Sequence, residues 1–313
     1  DVKQKLNLPI SIAELRKSIS KLNKSSCGGP DGISSKLLEW FSKICPNLIL
    51  KAINEQMFSG NSNGKAVNER TIIFIPKPTD RLDIKKFRPI SLLNTLYRVA
   101  DICLTQRLNY VLESSNIFSH NTYAYRKSFS IPDAILTLCT TIENIKLSNT
   151  KVCIIQTDIE AGFDSVSRSL IKKVLEKIGL PIPMIEKIFN LGKHAIAKLS
   201  VNLECLTNRS FKVSSGTAQG QASSATLFNI AFYLFYLYIN SEPELFNTYK
   251  IILDTVDPVT GLFNESEVRS KLDMDTSISY SDDGLILAIY QGTHSITNIL
   301  DLFKKFSTFS GLR

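Results

Sequence analysis

Metal-binding and disulfide chemistry of the common kinds has little to draw on in this sequence. Its three histidines, His120, His194 and His294, form no HExxH pattern and sit beside no cysteine cluster, which excludes the frequent zinc-hydrolase and zinc-finger arrangements. The six cysteines, at 27, 45, 103, 139, 153 and 205, contain no CxxC pair. Reduced, buried thiols are therefore expected, as in an intracellular protein of the nucleus, the cytoplasm or both. No internal repeat, low-complexity tract or block of five like charges occurs. The most apolar segment, ATLFNIAFYLFYLYI at 225–239, is interrupted by Asn229 and falls short of the ~20 residues that span a bilayer. A buried helix is expected there, and no membrane partner. The N-terminal DVKQKLNLPI lacks a signal peptide's apolar run, a transit peptide's composition and a starting Met. A fragment is expected.

What the sequence does have is a core and a positive balance. Its 313 residues are 43% hydrophobic and 21% charged, the composition of a folded protein of one large domain or two ordinary ones. Lys and Arg number 37 against 29 Asp and Glu, a net charge of +8. That balance suits a polyanionic partner.

Elements follow from pattern. In SIAELRKSISKL, Ser11 with Glu14 three positions later is a capping box, and Ile12, Leu15, Ile19 and Leu22 share a face. GGPDGISSKLLEWF is a glycine-rich turn feeding a second helix. It lacks the Gly-Lys-Ser/Thr of a phosphate-binding P-loop. GNSNGK (60–65) reads as a loop and RTIIFIPKP (70–78) as a short strand stopped by prolines. Helices are predicted at about 94–113 and 131–147, the latter with Pro132 in its first turn. KVCIIQTDIE (151–160) has the continuous apolar run of a buried central strand. A helix at 167–181 ends at Gly179 and Pro181. Paired strands at 195–213, the 225–239 helix, a polar stretch at about 241–276, a hairpin at 277–290 and a helix at about 294–309 complete the chain. Without strict βαβ alternation, the fold class is α+β with an antiparallel sheet.

Two carboxylate positions stand out. Asp158 ends an apolar strand, where it is either a solvated strand end or cap, or a ligand at a cleft. In SISYSDDGLILAIY (277–290), Asp282 and Asp283 precede Gly284 between alternating apolar residues. The motif is either a solvated Asp-Gly hairpin turn or part of a metal site. Read together, the three carboxylates form a ligand set for two divalent cations, since hard ions take carboxylate oxygens and leave positions for phosphate. Without such charge they would repel one another.

The ordered set TDIEAGFDSV, SSGTAQGQASSATLFNIAF and SYSDDGLI resembles three palm motifs of reverse transcriptases, and IIFIPKP with FRPISLLNTLYRVADICLTQRL resembles their fingers motifs. GGPDGISSKLLEWF and FSTFSGLR are similar to flanking segments of the non-LTR (LINE-type) retrotransposon enzymes, and the likeness runs from about residue 24 to the end. The resemblance implies a right-hand polymerase: an N-terminal helical extension at 1–64, fingers with part of the palm at 65–150, and palm at 151–313. It implies an antiparallel palm sheet packed on helices, with no thumb before the chain stops at Arg313. It implies an RNA-directed DNA polymerase using two magnesium ions, with manganese as a substitute, and RNA template, DNA primer and dNTPs as partners. Asp158 and Asp282 become the principal metal ligands and catalytic residues, the Ile159 carbonyl adds an oxygen, and Asp283 supports them. Phe163 becomes the steric gate against a ribose 2′-hydroxyl. Gln219 and Gly220 lie along the incoming nucleotide, Lys77 and Arg88 contact its triphosphate, and Tyr280 faces the primer terminus.

The chain departs from this pattern in places. Ala161-Gly162 stands where Lys-Ala is usual, Ala218 where Arg is usual, and QASSA (221–225) where Cys-Pro-Leu-Ser-Pro is usual. Ser281 replaces an Ala and Gly284 an apolar residue. Two other readings are a catalytically decayed RNA-binding scaffold and a group II intron-type reverse transcriptase. An RNA replicase is disfavoured by Phe163, since those enzymes place an Asp there. The oligomeric state is not legible in the sequence.

Overall fold

A computed structural model describes residues 6–58, 69–77, 87–118, 122–147, 152–159, 161–190, 196–201, 204–205, 210–213, 215–240, 277–280, 283–289 and 293–310. The loop expected at 60–65, the polar stretch at 241–276, Ser281 and Asp282 lie outside these residues. The chain forms two compact units, each discontinuous: Asp1–Ile117 with Phe163–Leu227, and Phe118–Gly162 with Phe228–Arg313.

The first unit opens with α1 (Ile12–Ser20), α2 (Ser35–Ile44) and α3 (Pro46–Phe58). The expected capping box starts α1: the Ser11 hydroxyl accepts from the Glu14 N–H while the Glu14 carboxylate accepts from the Ser11 N–H. Leu15, Ile19 and Leu22 are buried beside the long helix α4 (Thr95–Ser114), whose face of Val99, Ala100, Cys103, Leu104 and Leu108 is at most 1% exposed. Arg107 on α4 ties down the leading segment. Its guanidinium donates to both Glu14 carboxylate oxygens (2.7 and 2.9 Å) and to the carbonyls of Leu6, Leu8 and Pro9.

Strands β1 (Glu69–Pro76) and β2 (Phe87–Leu93) pair antiparallel. The second strand was missed by pattern because it contains Pro89. Among the described residues it lies at the sheet edge, where one side needs no ladder donor, which makes that proline tolerable. Further along the chain come β4 (Ile196–Val201), β5 (Glu204–Cys205) and β6 (Phe211–Lys212). The sheet order is β2-β1-β4-β5, with β6 also on β4. Because β4 joins β1 in parallel, this sheet is mixed, where an antiparallel one was expected. Helix α7 (Arg168–Lys177) ends at Gly179, φ +82°, and α8 (Ile182–Asn190) follows it, an element the pattern did not announce.

The second unit contains α5 (Ile131–Leu147), β3 (Val152–Asp158), β7 (Ser277–Tyr280), β8 (Asp283–Ile289) and α10 (Thr293–Ser310). Its sheet is antiparallel in the order β3-β8-β7. The apolar run of β3 therefore builds an edge strand among the described residues, and Ile154 is 47% exposed, which corrects the expectation of a buried central strand. The short α6 (Gly162–Ser165) and α9 (Ala222–Asn240) each contribute residues to both units. Asn229, which broke the apolar run, donates from its side-chain amide to the Ala124 carbonyl at 2.8 Å, so its burial is satisfied.

The cysteines also need correction. Cys103 is buried and free, but Cys27 and Cys139 are free and exposed.

Candidate functional site

In the second unit, the last pair of the β3–β8 ladder is Asp158 with Asp283, and Asp283 in turn pairs with Tyr280 on β7. The three positions form one row across the sheet. Residues directly opposite in antiparallel strands share a face, so the ladder places two carboxylate positions on one face at its end. Asp158 is exposed there, and Ile159 follows it. Asp283 and Gly284 belong to β8, with Gly284 opposite both Thr157 and Ser279. The Asp-Gly pair is thus not the turn that its composition suggested. Asp282 lies outside the described residues.

The other edge of this sheet is covered locally. Thr122 bridges to Ser279, and the Tyr123 N–H donates to the Ser279 carbonyl at 3.0 Å. Arg126 stabilises that segment by donating to the Thr122 carbonyl and stacking 4.0 Å from the Phe129 ring centre, a cation–π contact.

In the first unit, three of the nucleotide-binding candidates converge. Phe163 on α6 accepts at its carbonyl from the Thr217 N–H at 2.6 Å. The Gln219–Gly220 turn sits on β2: the Ser91 N–H donates to the Gln219 carbonyl at 2.8 Å. Gly220 has φ +103°, and a Cβ there would lie 3.0 Å from the Ser91 carbonyl oxygen. Close approach and the left-handed conformation both require glycine. Asp164, next to Phe163, accepts from the Gln219 amide at 3.2 Å. Burial pushes the Asp164 carboxyl up, and that amide partly offsets the shift. Arg88, exposed on β2, is opposite Ile75, and Lys77 is exposed just beyond β1. Both cations therefore belong to the same end of the β1–β2 ladder.

Ser91, Thr217, Asp164 and the buried Asp101 were not singled out as site residues. The first two contribute backbone N–H groups, for which a sequence carries no mark. Asp101 did carry one, as a carboxylate amid the apolar positions of α4.

No group of three or more His, Cys, Asp or Glu able to hold a metal occurs among the described residues. Asp158, an exposed carboxylate at the end of the ladder, has the oxygen donors that a hard divalent cation takes. No described helix is long and apolar enough to cross a membrane.

Comparison with known proteins agrees with the motif order. A curated relative, the "Transposon TX1 uncharacterized 149 kDa protein" of Xenopus laevis, is 21% identical over 229 residues, which is 73% of this chain and 17% of that protein. The chain thus spans under a fifth of that relative's length. The family model for reverse transcriptase (RNA-dependent DNA polymerase) matches residues 75–313. Members of that family generally use a divalent metal and act on nucleic acid. The match takes in the three-stranded sheet with its Asp158–Asp283 register pair and the Gln219–Gly220 turn, and the chain belongs to the reverse transcriptase family.

Proposed function

We propose that this chain is the fingers and palm of an RNA-directed DNA polymerase from a non-LTR (LINE-type) retrotransposon, extending a DNA primer on an RNA template. Residues 1–64 form its N-terminal extension, 65–150 fingers with part of the palm, and 151–313 the palm. The observation that carries this reading is the register pairing Asp158 with Asp283 within the family's motif order.

Asp158, Asp282 and Asp283, with the Ile159 carbonyl, would hold two magnesium ions. When bound, such ions activate a primer 3′-hydroxyl and neutralise charge on the pyrophosphate leaving group. The chain's own residues do the rest. Arg88 offers a forked donor to the triphosphate and Lys77 a point charge. Phe163 blocks a 2′-hydroxyl and so selects deoxynucleotides. Gln219 and Gly220 present backbone on which the nucleotide lies, and Tyr280 meets the primer end.

The alternative is a scaffold that binds RNA without catalysis, suggested by the departures at Ala218 and 221–225. Against decay, the departing residue Gln221 is engaged: its side-chain amide donates to Asp101 at 3.0 Å.

The test is primer extension by the full-length protein on an RNA template, with dNTPs or rNTPs and magnesium. Incorporation of dNTPs that Asp282→Asn abolishes is expected. Phe163→Val should admit ribonucleotides, and unchanged sugar selection would remove the gate assignment. Robust extension by Asp282→Asn would sink the metal assignment. Salt-sensitive RNA binding without extension under any condition would favour the scaffold.

A further inference from the structure

Helix α4 carries a carboxylate on its buried face. Asp101 is 1% exposed, and a carboxylate so placed is costly unless donors surround it. Its donors come from the start of α9. One oxygen accepts from the Ser223 N–H at 3.0 Å and the other from the Gln221 side-chain amide at 3.0 Å, across 122 and 120 residues of chain. Burial pushes the Asp101 carboxyl up, and these bonds from Ser223 and Gln221 partly offset it.

The Ser223 N–H is one of the first-turn donors that a helix leaves without an internal partner. Such a donor is ordinarily met by the side chain just before the helix. Here that residue is Gln221, whose amide is spent on Asp101 and on the Ser223 hydroxyl at 2.8 Å. Capping therefore comes from another helix. The capped turn is continuous with the Gln219–Gly220 turn: the Gln221 N–H donates to the Ala218 carbonyl at 3.1 Å, and the Ser224 hydroxyl donates to the same carbonyl at 2.7 Å. Residues 218–224 are thus moored to Ser91 of β2, to Asp164 beside Phe163 and to Asp101 of α4.

We propose that Asp101 is the positioning residue of the Gln219–Gly220 turn, capping α9 from outside and so fixing the backbone against which the incoming nucleotide is placed. The proposal rests on the assignment of that turn to nucleotide binding. Asp101 does not touch the nucleotide; it acts through Gln221 and Ser223, two of the positions where the chain departs from the family pattern.

The test combines amide hydrogen exchange with steady-state dNTP kinetics on the full-length protein. Asp101→Ala should speed exchange at residues 219–224 and raise KM for dNTP, each about fivefold or more, the scale of a lost helix cap, with kcat within about twofold. Asp101→Asn keeps an acceptor for the Ser223 N–H, and Gln221 can turn its amide to meet the new NH2. It should stay within about twofold of wild type in both readouts. Gln221→Leu leaves Asp101 in place and should raise KM in the same direction, which decides the matter if Asp101→Ala does not fold. Wild-type exchange at 219–224 in Asp101→Ala would overturn the proposal. So would a fall in kcat and thermal midpoint with KM unchanged, the behaviour of a plain core residue. If the wild type extends no primer, the polymerase reading fails, while the exchange measurement still judges the mooring.

Discussion

Asp158 and Asp283 are partners in the last pair of the β3–β8 ladder, two carboxylate residues opposite each other where the sheet ends. Like charges directly opposite destabilise a sheet, a cost that a shared cation reverses. Asp158→Asn should therefore raise the thermal midpoint in chelator, show no such gain in millimolar magnesium, and abolish primer extension. Melts with and without EDTA check this. A midpoint gain of equal size in both conditions would mean that no cation bridges the pair.

Gly162 and Phe228 are matched in the second unit. A Cβ at 162 would lie 2.7 Å from Cε2 of the Phe228 ring, and that ring is 0% exposed and has nowhere to go. The reverse transcriptase pattern has Ala at this position, so the glycine is the complement of this chain's phenylalanine. Gly162→Ala should destabilise by about 1–3 kcal/mol, as overpacking does. Adding Phe228→Leu should recover part of that loss although it is destabilising alone, a coupling that a double-mutant cycle in denaturant measures.

The signals that could be read in the sequence were local ones. Ser11 with Glu14, Pro132 and Gly179 punctuate helices through their own backbone preferences, and the structure has helix boundaries at each. The parallel pairing of β1 with β4 had no such mark, because register between distant strands is settled by packing. The run in β3 advertised burial without saying at which position in the sheet. At the site, Asp158 and Asp283 were legible as carboxylates set against apolar runs. The support around Gln219 was not, because Ser91 and Thr217 act through N–H groups that every residue but proline has.

The ion pair of Glu14 with Arg107 gives a pH signature. Hydrogen bonds from the Arg107 side chain, opposed by burial and aided by Ser11, pull the Glu14 carboxyl down to about 2. A folded-state value below the unfolded ~4.3 means that the stabilisation is complete above the unfolded value and is lost as pH falls toward 2. The Glu14 side chain is 35% exposed, so solvent screening reduces its size. The thermal midpoint should fall more steeply between pH 5 and 2 in the wild type than in Glu14→Gln, which lies lower at neutral pH. Parallel curves for the two proteins would show that the pair does not stabilise the fold.

Gly220 separates strain at the site from strain elsewhere. Its φ of +103° and the 3.0 Å approach of a Cβ to the Ser91 carbonyl combine a conformational cost of order 1–3 kcal/mol with a push of the turn off β2. Gly32 has φ +68° and no atom within 4 Å of a Cβ, so alanine there meets strain without displacement. Gly220→Ala should therefore raise KM for dNTP about tenfold, a shift of about 1.4 kcal/mol in nucleotide placement. Gly32→Ala should lower the thermal midpoint and leave KM unchanged. If both substitutions shift KM alike, the effect belongs to global stability, and the close seat of the Gln219–Gly220 turn on β2 has no part in binding the nucleotide.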